Sequence, residues 1–389
     1  MQKKNIVLYM CFVFLTNFTL FASFESVFLG ELKAAPLAEI AVLFMAYQLT
    51  KLIFEIPTGY VADRFGLKKS AILGLALILS YYALLLGESK AVPYLVCTYV
   101  VKGVGYTLIS GSIEALFVNG LDPDALTRYN GIERLVMYIS MASAAILGGF
   151  IISQGLFHYV LVIDMCTVGV TVVITLLIRE TRGPNAGERI SPKKVWEFLK
   201  NTDTCLLPLG MDFATAFCFM EVEDLYSKYL TGFGVSTTLI GVFIAAQLVA
   251  AAVFGTFTYK LTDKVKPERL LAVCPFAFLA LMMGVFIDGT PIWLMPVLYT
   301  LSQTTFAIYA PVKYTIFQRS IISEYRATVI SVQSQCCAMG GVAAYLLTSL
   351  LSRWMALPHI ILVLGAGTFA GYLFLVPKLI SRAKERELI

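Results

Sequence analysis

Long apolar runs separated by short polar turns dominate the hydropathy pattern of this chain. Each run is about 20 residues long, the length that an α-helix needs to cross ~30 Å of hydrocarbon. The runs predict twelve membrane-spanning helices, at residues 5–30, 38–58, 70–88, 92–119, 131–154, 158–178, 204–226, 236–259, 269–287, 292–318, 327–352 and 357–377. The first run is too long for the core of a signal peptide, so we expect it to remain as a membrane span.

One long polar stretch, residues 180–203, divides six predicted spans from the other six. The pattern therefore predicts an N-terminal six-helix bundle at 1–179, a cytoplasmic linker at 180–203 and a C-terminal six-helix bundle at 204–389. Within the linker, Trp196–Lys200 predicts a short helix at the membrane interface.

Composition and charge agree with a multi-pass membrane protein. Apolar residues make up 58% of the 389 residues and charged residues 14%, and the mean hydropathy is +0.79. Of the 30 Lys and Arg, 23 fall in segments that face the cytoplasm if the N-terminus does, and 4 fall in the opposite loops. This bias predicts that both termini are cytoplasmic. The net charge of +5 is thereby explained without a nucleic-acid partner.

The residues that enzymes and pumps use are not arranged for such chemistry. The eight cysteines lack metal-ligand spacing, and both histidines, His158 and His359, begin predicted spans at the outer face. No phosphate-binding loop, dinucleotide fingerprint or Ser/His/Asp arrangement is present in the sequence. We therefore expect neither an enzyme nor an ATP-driven pump, and no metal or cofactor.

The most specific motif is the charged turn between the second and third spans, which reads Gly59-Tyr-Val-Ala-Asp-Arg-Phe-Gly-Leu-Lys-Lys69. It resembles the G-x-x-x-D-R-x-G-R-K signature of the major facilitator superfamily and departs from it only at Leu67. The resemblance implies an all-α fold of twelve helices in two pseudo-symmetric six-helix bundles. It also implies a secondary transporter that works by alternating access.

The chain also shows an internal repeat. A shift of 200 residues places Asp63 and Arg64 on Asp263 and Lys264. Such an offset is expected of a duplicated transporter half. In the second copy, Tyr259 and Lys266 replace the two motif glycines, so we expect the halves to differ in function.

We expect the signature to act as a cytoplasmic gate. A carboxylate at Asp63 would stabilise the positive N-terminus of the eleventh span and pair with Arg326. Gly59 and Gly66 would permit the close approach and the turn. The positive-inside rule also accounts for the remaining basic residues of the motif. These are Arg64, Lys68 and Lys69.

Polar residues inside the spans are the candidate functional residues, because a charge at bilayer depth costs ~3 kcal/mol or more. Lys51 and Glu55 form an intramembrane pair at i, i+4 spacing, either neutralising each other or taking part in transport. By the family resemblance, the first, fourth, seventh and tenth spans line a central cavity. The substrate and proton candidates are Asn17, Glu25, Lys102, Glu114, Asp212, Tyr309 and Lys313.

Three carboxylates are the candidate proton carriers, namely Glu25, Glu114 and Asp212, with Glu114 ranked first. Glu114 and Lys313 lie at comparable depth on spans that correspond under the repeat. We therefore predict that they interact across the cavity in at least one conformation.

The segments Glu55–Gly59 and Arg326–Ser331 resemble the bacterial drug-efflux-like branch of the superfamily. The proline of the drug-antiporter motif in the fifth span is absent, and Tyr99 stands where those antiporters carry an arginine.

The favoured function is proton-coupled export of small amphipathic molecules by a monomeric inner-membrane antiporter, driven by the proton gradient. Its partners are then a small-molecule substrate and the lipid bilayer. The alternatives are a carrier for a defined metabolite in either direction, such as a siderophore, peptide or sugar, and a receptor or lipid-handling protein that does not turn over solute.

Overall fold

A computed structural model describes residues 3–118, 123–179, 192–262, 264–322 and 325–389. These residues are almost entirely helical and contain no β-strand, which confirms the predicted all-α class. The helices are α1 (Lys3–Asn17), α2 (Glu25–Glu31), α3 (Leu37–Phe65), α4 (Leu67–Leu86), α5 (Val92–Val118), α6 (Pro123–Ser153), α7 (Phe157–Leu177), α8 (Pro192–Lys200), α9 (Asp203–Thr231), α10 (Thr237–Thr262), α11 (Pro267–Gly284), α12 (Leu294–Ser320), α13 (Arg326–Leu351) and α14 (Leu357–Glu385).

Eleven segments of the described chain are long and apolar enough to cross a membrane. Helices α1 and α2 together make the first of them, Lys4–Glu31. The remaining predicted span, 292–318, coincides with α12, which has 27 residues. This helix is not among the eleven, and it carries Gln303 and Lys313 in its interior. The prediction of twelve spans therefore agrees with the structure except for the polar character of α12.

The chain forms two compact units. The first comprises Met1–Glu188 with Ser227–Ala245, and the second comprises Arg189–Tyr226 with Ala246–Ile389. In the first unit, the Thr237 hydroxyl donates a hydrogen bond of 2.9 Å to the Gly149 carbonyl. The boundary between the units thus passes through α9 and α10, while the predicted linker boundary at 180–203 stays a prediction.

Glycines bring two helices of the first unit into backbone contact. A Cβ atom at Gly74 of α4 would lie 2.6 Å from the Gly105 carbonyl oxygen of α5, and one at Gly105 would lie 3.0 Å from that of Gly74. Only glycine allows this approach, because any side chain here would overlap the opposing backbone. The contact holds α4 and α5 at a fixed register.

The first span is broken at Leu20 and Phe21, between α1 and α2, and a buried carboxylate stabilises the break. Asp164 of α7 is 1% exposed. Its two carboxylate oxygens accept hydrogen bonds of 2.9 and 3.0 Å from the backbone N–H groups of Leu20 and Phe21. These donors have left the helical ladder and need a partner where water is excluded.

Helix α8 covers the segment where a short helix was predicted and belongs to the second unit, while its position at the membrane interface stays a prediction. Its Val195 and Leu199 are buried in a cluster of apolar side chains that also contains Cys205, Leu209, Phe317, Ile321 and Val329. Trp196, by contrast, is 57% exposed. Helix α8 is therefore anchored to the second unit by one apolar face.

Candidate functional site

In the first unit, an ion pair joins the first and fourth predicted spans. The Lys102 ammonium of α5 lies 2.8 and 2.7 Å from the two carboxylate oxygens of Glu25 at the start of α2. The Tyr81 hydroxyl of α4 donates a further hydrogen bond of 2.7 Å to Glu25. The Glu25 side chain is 9% exposed. A carboxylate so buried needs both a cation and hydrogen-bond donors, and it has both here.

Three tyrosine rings surround the same ammonium. Lys102 Nζ lies 4.9, 5.1 and 5.3 Å from the ring centroids of Tyr47, Tyr81 and Tyr99. These distances are within the range of cation–π attraction. The three rings and the Glu25 carboxylate, which we call the tyrosine box, are supplied by α2, α3, α4 and α5.

In the second unit, an ion pair joins the seventh and tenth predicted spans. The Lys313 ammonium of α12 donates to Asp212 of α9, and the Gln333 amide of α13 donates 2.7 Å to the other Asp212 oxygen. The Lys313 side chain is 5% exposed. Each unit therefore neutralises one buried carboxylate with one lysine, through helices that correspond under the repeat.

Hydroxyl groups form a chain beside this second pair. Tyr309 OH lies 3.2 Å from Tyr372 OH, which lies 2.7 Å from the Thr215 hydroxyl. Phe306 stacks on Phe219 at 5.7 Å and packs edge-on against Tyr309 at 5.5 Å. The seventh and tenth spans thus place stacked aromatic rings beside a chain of hydroxyl groups.

Lys313 and Asn17 have partners that the sequence did not indicate. Lys313 pairs with Asp212, and its predicted contact with Glu114 in at least one conformation stays a prediction. The Glu114 side chain lies outside the described residues. Asn17 donates 2.8 Å to the Val13 carbonyl and so satisfies a carbonyl near the end of its own helix.

The intramembrane pair Lys51 and Glu55 lies on α3, next to the tyrosine box. The Lys51 ammonium lies 5.3 Å from the Tyr47 ring centroid and 4.9 Å from that of Tyr106. Tyr47 therefore faces two lysines, Lys51 of its own helix and Lys102 of α5.

The signature motif, Gly59–Lys69, forms the connection from α3 to α4. Gly66 ends α3 with φ +103°, a left-handed conformation that favours glycine, whereas a Cβ at Gly59 would meet no atom within 4 Å. The Arg64 guanidinium lies over the Phe65 ring at 5.6 Å. The Asp63 and Arg326 side chains lie outside the described residues, so their pairing stays a prediction.

Lys68 of the motif has a contact that the sequence did not indicate. Its ammonium donates to the carbonyl oxygens of Leu176 and Ile178 at 2.5 and 3.0 Å. A cation at the C-terminus of a helix, here α7, stabilises it by interaction with the last carbonyls and the helix dipole.

We expect Lys68→Met to lower the free energy of unfolding by about 0.5–1 kcal/mol, because α7 loses this cap. The neighbouring Lys69 is exposed, so Lys69→Met is the matched control and should be close to neutral. Thermal unfolding in detergent measures both. Equal losses in the two variants would show that the cap does not contribute.

Sequence reasoning missed the three tyrosines as a group, Gln333 and Asp164. Tyrosines are common in membrane helices, and 20 occur in this chain, so no local signal marks these three. Asp164 did carry a signal, since a carboxylate in the middle of the sixth predicted span is costly there. Among the described residues, no group of three His, Cys, Asp or Glu is placed to hold a metal ion.

Comparisons with known proteins identify relatives in sequence and in fold. The chain is 22% identical over 340 residues to the uncharacterized MFS-type transporter YxaM of Bacillus subtilis (strain 168), with 84% of each chain covered. Its fold is similar to that of the nucleoside transporter NupG, with a TM-score of 0.74, 12% identity and coverage of 99% of this chain and 100% of that one. A bacterial homologue of the iron transporter ferroportin, in an inward-facing state, gives a TM-score of 0.74 at 14% identity, with 97% and 98% covered.

The D-xylose-proton symporter matches with a TM-score of 0.74 at 12% identity, over 96% of each chain. At these identities the structural likenesses show the fold alone. The sequence profile of the Major Facilitator Superfamily, however, matches residues 6–345, which is most of the chain. With its signature turn, its apolar helices and this match, the chain belongs to the Major Facilitator Superfamily and is a multi-pass secondary transporter.

Proposed function

We propose that this transporter couples the export of small amphipathic molecules to the entry of protons, by alternating access. The observation that carries the proposal is the presence of a buried carboxylate–lysine pair in each unit, Glu25 with Lys102 and Asp212 with Lys313. Membrane helices rarely retain such costly pairs unless the charges take part in transport.

The ion pairs offer a physical means of coupling. Protonation of Glu25 or Asp212 would remove the charge that holds the lysine, and the loss of the carboxylate would leave the ammonium without a counter-ion. Each protonation state therefore favours a different arrangement of the helices that carry the pair. The transport cycle would require at least one of Glu25, Glu114 and Asp212 to bind and release a proton.

The half-buried aromatic rings support an amphipathic substrate. The half-buried rings of Phe219 and Phe306 offer surface in the second unit, and that of Tyr47 does so in the first. Such surfaces bind apolar bodies and orient them with a small number of polar contacts. From the distribution of Lys and Arg, we further propose that both termini lie in the cytoplasm. From the resemblance of Glu55–Gly59 and Arg326–Ser331 to the drug-efflux branch, we propose a monomer of that branch in the bacterial inner membrane.

Reconstitution of the full chain into proteoliposomes tests the proposal. We expect an acid interior to drive accumulation of an amphipathic dye such as ethidium, and an uncoupler to abolish it. Among Glu25→Gln, Glu114→Gln and Asp212→Asn, at least one should lower the gradient-driven rate by about tenfold or more. Asp288→Asn is the control, because Asp288 is exposed and pairs only with His359 at 3.2 Å among the described residues.

Gradient-driven uptake that survives all three substitutions would contradict coupling through these carboxylates. Accumulation of D-xylose or a nucleoside, with no movement of the dye, would favour the alternative of a metabolite carrier. The absence of solute movement under any gradient would favour a receptor role.

A further inference from the structure

The tyrosine box has the composition of a binding site for an organic ammonium ion. It consists of the rings of Tyr47, Tyr81 and Tyr99, all about 5 Å from one ammonium nitrogen, and the Glu25 carboxylate. Proteins that bind ammonium ligands enclose them in aromatic rings of this kind, because the negative ring faces attract the cation. Here the bound cation is the protein's own Lys102.

The lysine side chain in the box is more exposed than its counterpart in the second unit. The Lys102 side chain is 22% exposed, whereas that of Lys313 is 5% exposed. Asp212 is also fixed by the Gln333 amide, a neutral donor from a third helix. The pair in the first unit therefore combines a partly exposed lysine with one half-buried ring, Tyr47, and two buried rings, Tyr81 and Tyr99.

We propose that the tyrosine box binds the cationic nitrogen of the transported substrate, and that Lys102 occupies the site in its absence. The inference rests on the proposed function and names its substrate class, an organic ammonium ion on an apolar body. The substrate ammonium would take the place of the Lys102 ammonium against Glu25 and the three rings.

Replacement of the Lys102 ammonium by the substrate ammonium would release one proton. Two ammonium ions beside one carboxylate repel each other strongly at this depth. Lys102 then leaves as the neutral amine, so that substrate ammonium binds to Glu25 and one proton passes from Lys102 to water. Charge is conserved, because one cation enters the site as one proton leaves it. Among the residues that the structure describes, Tyr82 of α4 also interacts with Glu25, and Lys51 of α3 contacts the Tyr47 ring.

Calorimetry on the full chain in detergent tests the inference, with phenethylamine in its protonated form as the probe. Its neutral isostere, 2-phenylethanol, should bind about tenfold more weakly or not at all, because it cannot interact with the carboxylate and ring faces as a cation. Titrations in buffers of different ionisation heat should show about one proton released for each ammonium bound, as the exchange requires.

Variants test whether ammonium binding depends on the residues of the tyrosine box. Lys102→Met removes the internal competitor, so the ammonium should bind about tenfold more tightly and raise the melting temperature of this variant more than that of the wild type. Lys90→Met is the control, since Lys90 is an exposed lysine of the same unit outside the box, and it should leave affinity and proton release unchanged. Tyr47→Leu should weaken binding by about tenfold, because one ring is lost.

Equal affinity for the amine and the alcohol, or ammonium binding to the wild type without proton release, would overturn the inference. Either result leaves the proposed function standing if the dye still moves with the proton gradient. Conversely, ammonium binding with proton release, together with no gradient-driven transport, would support the box and contradict the proposed function. If Lys102→Met fails to fold, the wild-type proton count and Tyr47→Leu still decide the question.

Discussion

Substitution of Lys313 by methionine is expected to lower the free energy of unfolding by about 3–5 kcal/mol, because it leaves Asp212 charged in the membrane interior without its cation. Methionine has a similar length and an apolar body, so the change removes the charge while leaving little empty space. Gln333 would remain as a hydrogen-bond donor to Asp212, but a neutral amide does not replace an ammonium.

Two comparisons isolate the charge effect. The double variant Asp212→Asn/Lys313→Met removes both charges and should recover most of the lost stability in thermal unfolding. Lys384→Met breaks an exposed pair with Glu268 and should cause little change, because solvent already screens these charges. Losses that simply add in the double variant would show that the Asp212–Lys313 pair does not stabilise the unit.

Asp164→Ala is expected to lower the free energy of unfolding by about 2–5 kcal/mol. The substitution leaves the backbone N–H groups of Leu20 and Phe21 without acceptors, and each buried unsatisfied donor costs about 1–3 kcal/mol. Asp164→Asn should lose less, because its one remaining oxygen can still accept from either donor.

Thermal unfolding in detergent ranks the two Asp164 variants against the wild type, with Asp288→Ala as the exposed control. If Asp164→Asn is as stable as the wild type, a single acceptor is sufficient and the second hydrogen bond adds nothing. A loss of stability in Asp164→Ala but not in Asp164→Asn would then show that one of the two backbone N–H groups accounts for the whole effect.

The helical fold could be predicted from hydropathy because each span must satisfy its own backbone in lipid. The break in the first span could not be predicted, because it depends on Asp164. This residue accepts a hydrogen bond from the Leu20 N–H group, which lies 144 residues earlier in the chain. Helix α12 was identified by its length and position. Its polar residues lower its apolar character, as expected for a span that carries Lys313.

The charged members of the site were predictable because lipid makes them costly, but their pairing was not. Pairing depends on the depth and rotation of whole helices, which periodicity does not determine. Depth alone gave Glu114 as a partner of Lys313, which stays a prediction, whereas the pair with Asp212 was not foreseen. The tyrosine box was not predicted, because its rings come from three helices and no sequence spacing connects them.

Under the proposed role of the tyrosine box, the backbone contact between Gly74 and Gly105 bears on how substrate specificity can be engineered. One helix of the contact carries Tyr81 and the other carries Tyr99 and Lys102, so these groups are set on a frame that cannot slide without a clash. New substrate preferences should then arise from replacing ring side chains rather than from repacking helices. A combinatorial library for altered substrate selection would accordingly vary Tyr47, Tyr81 and Tyr99 and leave both glycines intact.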